Sequence, residues 1–151
     1  MYSQVGDTWK RIFKEKSGDI LARAVELRSG PTILRVDRPS RLDRARMLGY
    51  KAKQGVAVVR IKVSRGGMRK QRPRAGRRSK HMGVLRIKAA VSTQQVAERR
   101  VSEHYPNMHV IGSYPLWRDG KHAWYECILI DASHPSISRD YNYRRLLGLK
   151  G

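Results

Sequence analysis

With 151 residues, 40% of them hydrophobic, the chain has material for one domain with a modest core, not for two domains or a core with several elaborate loops. Its 33 Lys and Arg against 12 Asp and Glu leave a net charge of +21, a self-repulsion that points to a polyanionic partner. No apolar run approaches the roughly 20 residues of a membrane span, and the N-terminal MYSQVGDTWKRIF lacks the apolar centre and small-residue cleavage site of a signal peptide.

In chain order, the first thirty residues read as helical and loosely amphipathic. Trp9, Ile12 and Phe13 recur at i, i+3, i+4, and Ile20, Leu21, Ala24 and Val25 repeat the pattern after Ser17-Gly18, until Gly30-Pro31 ends it. TILRV suits a short strand. DRPSRLDRARMLGY then offers a cap candidate at Ser40 and a short basic helix stopped at Gly49. In GVAVVRIKVS, Ala57, Val59, Ile61 and Val63 alternate with Val58, Arg60, Lys62 and Ser64, a strand expected at the rim of a sheet because its second face turns basic. VLRIKAA repeats the alternation beyond the segment Ser64 to Gly83. STQQVAERRVSEHY carries Ser92 and Gln95 in capping-box spacing, with a stripe of Val96, Ala97, Val101 and Tyr105 closed by Pro106. NMHVIGSYPLW and KHAWYECILID form a hairpin around Asp119-Gly120. Both faces of the second strand are largely apolar, which places it centrally, and Pro115 moves its partner to an edge or a bulge.

The expected fold is α+β: a mainly antiparallel sheet of about four strands packed by a helix, with an N-terminal helical arm and a long basic loop. One domain covers 1–151, divided into a helical arm (1–49), an α+β core (50–137) carrying the basic loop (64–83), and a short basic tail (138–151).

Catalytic and metal chemistry find little support. His81, His104, His109, His122 and His134 are dispersed; His109 and His122 fall on opposite hairpin strands and could approach, but one cysteine gives no zinc-finger spacing. The lone Cys127 can form no internal disulfide, and a reducing, cytoplasmic setting is the default. DASHPS contains triad residue types in Asp131, Ser133 and His134. Sequence neighbours rarely meet triad geometry, so the expectation is a strand end followed by a turn. SRGGMRK has adjacent glycines and no following Lys-Ser/Thr, which excludes a P-loop. No enzyme activity, metal, cofactor, small-molecule substrate or membrane partner is expected.

The segment SRGGMRKQRPRAGRRSKHMG is the conspicuous feature. Arg65, Arg69, Lys70, Arg72, Arg74, Arg77, Arg78 and Lys80 are offset by no acid, while Gly66, Gly67, Pro73, Gly76 and Gly83 oppose regular structure. Arg offers a planar fork for phosphate and a face for stacking on bases. RNA is favoured over DNA, because no helix-turn-helix, zinc or basic-zipper signature is present and extended basic segments suit folded RNA.

RPSRLDRARMLGYKAKQGVAVVRIKVSRGG, VAERRVSEHYPNMHVIGSY and ECILIDASHPSI together strongly resemble the archaeal and eukaryotic-type protein fifteen family of the large ribosomal subunit, over nearly the whole chain as far as Ile137. The resemblance implies a structural constituent of the large subunit that binds its ribosomal RNA beside neighbouring large-subunit proteins. Gly49, Tyr50, Lys51, Lys53 and Gln54 match the family's signature; Arg65, Gly66 and Gly67 match the turn opening its basic loop; and Arg77 to Lys80 match a basic patch. PLWRDG stands where the family has a more acidic turn. Family members continue into a long basic, Gly-rich tail, whereas this chain stops at YNYRRLLGLKG, leaving such contacts absent or taken over by Tyr141, Tyr143, Arg144, Arg145 and Lys150. The expected RNA-binding set is Arg38, Arg41, Arg44, Arg46, Tyr50, Lys51, Lys53, Gln54, Arg60, Lys62, Arg65, Gly66, Gly67, Arg69, Lys70, Arg72, Arg74, Arg77, Arg78, Lys80, His81, Arg86 and Lys88, with Tyr50 able either to stack on a base or to pack in the core. The alternative function is a free-standing basic RNA-binding protein or RNA chaperone.

Overall fold

The strand alternation read above produces a four-stranded antiparallel sheet in the order β1-β2-β4-β3. Its strands are β1 (Ile33–Val36), β2 (Val56–Ser64), β3 (His109–Arg118) and β4 (His122–Ile130). The helices are α1 (Tyr2–Glu15), α2 (Gly18–Ser29), α3 (Leu42–Met47), α4 (Thr93–His104), α5 (Pro135–Ser138) and α6 (Tyr141–Leu146). This computed structural model describes residues 2–15, 18–66, 71–84 and 90–148. The expected strand VLRIKAA lies almost wholly outside them.

The two faces of β2 and β4 carry two separate cores. Ala57, Val59, Ile61 and Val63 join Ala123, Tyr125, Cys127 and Leu129 under Ala97 and Val101 of α4. On the opposite face, Val58 and Ile128 pack with Ala45, Tyr50 and Tyr114, and Ile130 packs with Ile137 and Tyr143. Helix α4 begins where its capping box predicts: Ser92 Oγ accepts from the Gln95 N–H, and Gln95 Oε1 accepts from the Ser92 N–H. The edge strand β3 breaks register between Val110 and Gly112 and again between Pro115 and Trp117, the second break at the residue that has no N–H for the ladder.

Three expectations change. Strand β2 is interior, between β1 and β4, because the cations that suggested a rim have partners within the fold. Ser40 does not cap α3, whose N-cap is Arg41 without a side-chain bond; Ser40 is turned to Glu126 instead. Helix α2 buries Ala24 while Leu21 and Val25 remain exposed.

Candidate nucleic-acid interface

The basic loop leaves β2 at Ser64, opposite His122 at the start of β4. Its root is bound to the hairpin: the Arg65 N–H donates to the Lys121 carbonyl at 2.7 Å, and the Arg65 guanidinium donates to the Asp119 carbonyl. Asp119 holds the turn by accepting from the His122 and Lys121 N–H groups and from Arg28 Nε at 3.0 Å. The His122 N–H is the largest cause holding its carboxyl at about 2, with Arg28 adding to it. Beyond this root, Arg72, Arg74, Arg77, Arg78, Lys80 and His81 are exposed, with a short 3-10 turn over Ser79–His81. Among the described residues, no acid pairs with any of them. Gly67, Arg69, Lys70, Arg86 and Lys88 lie outside the described residues.

The signature segment is placed differently. Tyr50 is buried against Ala45, Val58, Tyr114 and Ile128, so it packs in the core and is not available to stack on a base. Gly49 adopts φ +95°, and a Cβ there would stand 3.0 Å from Leu146 Cδ1 of α6. Lys53 Nζ donates to Asp140 Oδ2 at 2.8 Å, Lys51 Nζ lies 3.6 Å from the same oxygen, and the two ammonium groups stand 5.3 and 5.6 Å from the centre of the Tyr143 ring. The Lys53 hydrogen bond is the main reason the Asp140 carboxyl sits at about 2. Gln54 is exposed, and its carbonyl accepts from Ser136 Oγ.

Several expected contacts are engaged inside the protein. Arg60 donates to Glu126 Oε1 and to Ser40 Oγ. Lys62 Nζ donates to the Arg28 and Gly30 carbonyls, closing the C-terminal end of α2 where the helix dipole favours a cation. Arg41 pairs with Asp43 at 3.1 Å and lies over the Trp9 ring. Arg38, Arg44 and Arg46 are exposed, and no acid among the described residues pairs with them. A sequence lists cations without their partners; geometry separates these two kinds.

The enzyme-like phrase folds as a turn and a cap. The Ser133 N–H donates to Asp131 Oδ1, and His134 Nδ1 accepts from the Ser136 N–H at the start of α5. His109 pairs with Ile130, at the opposite end of β4 from His122, so the two histidines do not approach. Among the described residues, no group of three His, Cys, Asp or Glu could hold a metal, and no helix is long and apolar enough to cross a membrane.

Comparison with known proteins shows the family to which the chain is similar. The family model described as Ribosomal L15 matches residues 1–148. The large ribosomal subunit protein eL15 of Methanocella arvoryzae is 51% identical over 142 residues, covering 93% of this chain and 72% of the relative.

Proposed function

The chain belongs to the ribosomal L15 family of the archaeal and eukaryotic type, and we propose that it is a structural constituent of the large ribosomal subunit that binds and stabilises folded large-subunit ribosomal RNA. The observation carrying this reading is the basic loop: exposed Arg72, Arg74, Arg77, Arg78 and Lys80, without acid partners among the described residues, on a root bound to the hairpin. Cations on the loop replace counterions condensed on the RNA backbone, and their release drives association. The sheet and α4 act as the scaffold that presents them beside neighbouring ribosomal proteins.

Fractionation of ribosomes in low and high salt tests the assignment. Stoichiometric retention in the large subunit is expected; a protein found mainly in the free pool would instead favour an RNA chaperone. Alanine at Arg72, Arg74, Arg77 and Arg78 is expected to weaken RNA binding and flatten its logarithmic salt dependence by roughly 0.9 per lost duplex-phosphate contact. An unchanged slope would show that the loop does not touch phosphate.

A further inference from the structure

The motifs LGYKAKQG (48–55) and DASHPSI (131–137) are distant in the chain and meet at one end of the sheet, where Val56 of β2 pairs with Ile130 of β4. Segment 49–55 belongs to no helix or strand, which leaves carbonyls to be met from elsewhere in the fold. The C-terminal part of the chain meets them. The Asp131 N–H donates to the Gly55 carbonyl at 2.9 Å, Ser136 Oγ to the Gln54 carbonyl at 2.6 Å, and the Tyr143 hydroxyl to the Gly49 carbonyl at 3.0 Å. Asp140 adds the counter-charge for Lys53, at 2.8 Å, and for Lys51, at 3.6 Å. The surfaces also fit closely. Gly55 adopts φ +85°, and a Cβ there would stand 2.6 Å from Ile137 Cγ1 and 3.0 Å from His134 Cβ.

Residues 131–148 depend on this contact for their structure. Helix α5 has four residues and α6 has six, well below the roughly 12–15 at which an isolated helix becomes marginal in water. Their buried side chains, Ile137 and Tyr143, pack with Ile130 at the end of β4. Neither belongs to the larger cluster under α4, where Val59, Ile61, Cys127 and Leu129 are fully buried. That cluster, and the β2–β4 ladder that carries it, keeps all its members when residues 131–148 lift away.

We infer that residues 131–148 are a strap that closes on segment 49–55 as one cooperative unit and opens without unfolding the sheet. Units with few apolar contacts of their own are the ones that open locally in a folded protein. Closure fixes the turns at Gly49 and Gly55 and holds the Lys53 ammonium to Asp140. Opening releases that ammonium together with the Gly49, Gln54 and Gly55 carbonyls. The strap, not the sheet, therefore sets the accessibility of Lys53. It also gives the triad residue types of DASHPS a role, with the Asp131 amide and the His134 side chain seating the strap on Gly55.

Native-state hydrogen exchange of the full chain, read by NMR, tests this. The amides of Ile137, Arg144 and Leu147, which donate within the strap, should exchange at one common rate, faster than the β4 amides by roughly tenfold or more. Tyr143→Phe removes only the hydroxyl that reaches Gly49, and should speed those strap amides about tenfold while leaving β4 unchanged. Gly55→Ala puts a methyl where Ile137 sits and should hold the strap open. Its strap amides should lose protection and Lys53 should be acylated several-fold faster relative to the exposed Lys80, with β4 still protected. Strap amides as slow as those of β4 in the unaltered chain overturn the strap. So do strap amides that Tyr143→Phe leaves unmoved, or β4 amides that speed up with them. In a folded Gly55→Ala, unchanged strap protection or unchanged Lys53 acylation overturns it equally; if that variant does not fold, Tyr143→Phe decides alone.

Discussion

Glu126 has no exposed surface, yet Oε2 accepts from the Ser40 N–H at 3.0 Å and the Tyr114 hydroxyl at 2.6 Å, and Oε1 accepts from Ser40 Oγ at 2.7 Å and from Arg60. A buried carboxylate is stable only when so surrounded. Burial, reinforced by the charge of Glu126, pushes the Tyr114 phenol above its ordinary range. The cluster fastens the segment before α3 to the middle of the sheet, across a sequence separation of 86 residues. Glu126→Ala should cost about 3 kcal/mol, because it leaves Arg60 and Tyr114 facing a void. Tyr114→Phe should cost about 1–3 kcal/mol through the unmet acceptor. Urea unfolding measures both, and a loss under half a kilocalorie for Glu126→Ala would show that the cluster does not hold the fold together.

At the scale of elements, strong acid should loosen the hairpin turn and the start of α6. Asp119 and Asp140 both titrate at about 2, below the ordinary value of 3.8. Depressed carboxyl values stabilise the folded state fully above roughly 3.8, and that contribution is lost as pH falls through about 2. The backbone amides of His122 and Asn142, which donate to these carboxylates, should therefore shift with a midpoint around pH 2 in NMR spectra. A midpoint near 3.8 would mean that the turn and the α6 cap are not formed in solution. Period-two alternation made β2 and β4 readable from sequence, and Ser92 with Gln95 made α4 readable, because each pattern spans enough residues to be distinctive. Helices α5 and α6 were not readable. PSIS and YNYRRL are too short to show a period, and their start signals, His134 and Asp140, become caps only once the backbone has turned.

For the whole molecule, the four-stranded antiparallel sheet and its β3–β4 hairpin followed from the residues, whereas the interior place of β2 and the division of labour among cations did not. Arg60 and Lys62 look no different in sequence from Arg72 and Arg74; only Glu126 and the end of α2 distinguish them. The central pairing of β2 with β4 joins Val59 to Cys127, and everything between them, basic loop included, must be enclosed to form it. Closing such a chain segment depends on its length only logarithmically, with each doubling costing about 0.6 kcal/mol. Inserting a short Gly-Ser stretch beside the exposed Gly76 should thus lower equilibrium stability by less than about 1 kcal/mol. A larger loss in a thermal melt would show that the loop takes part in holding the sheet. The same pairing sets an order in time. As the chain is synthesised from its N-terminus, the apolar face of β2 and the polycation after it emerge well before β4 exists. Until Cys127 and its neighbours arrive, the nascent protein carries an unmatched strand beside unneutralised charge. Completion of that one later strand gives the face its partner and the loop its root.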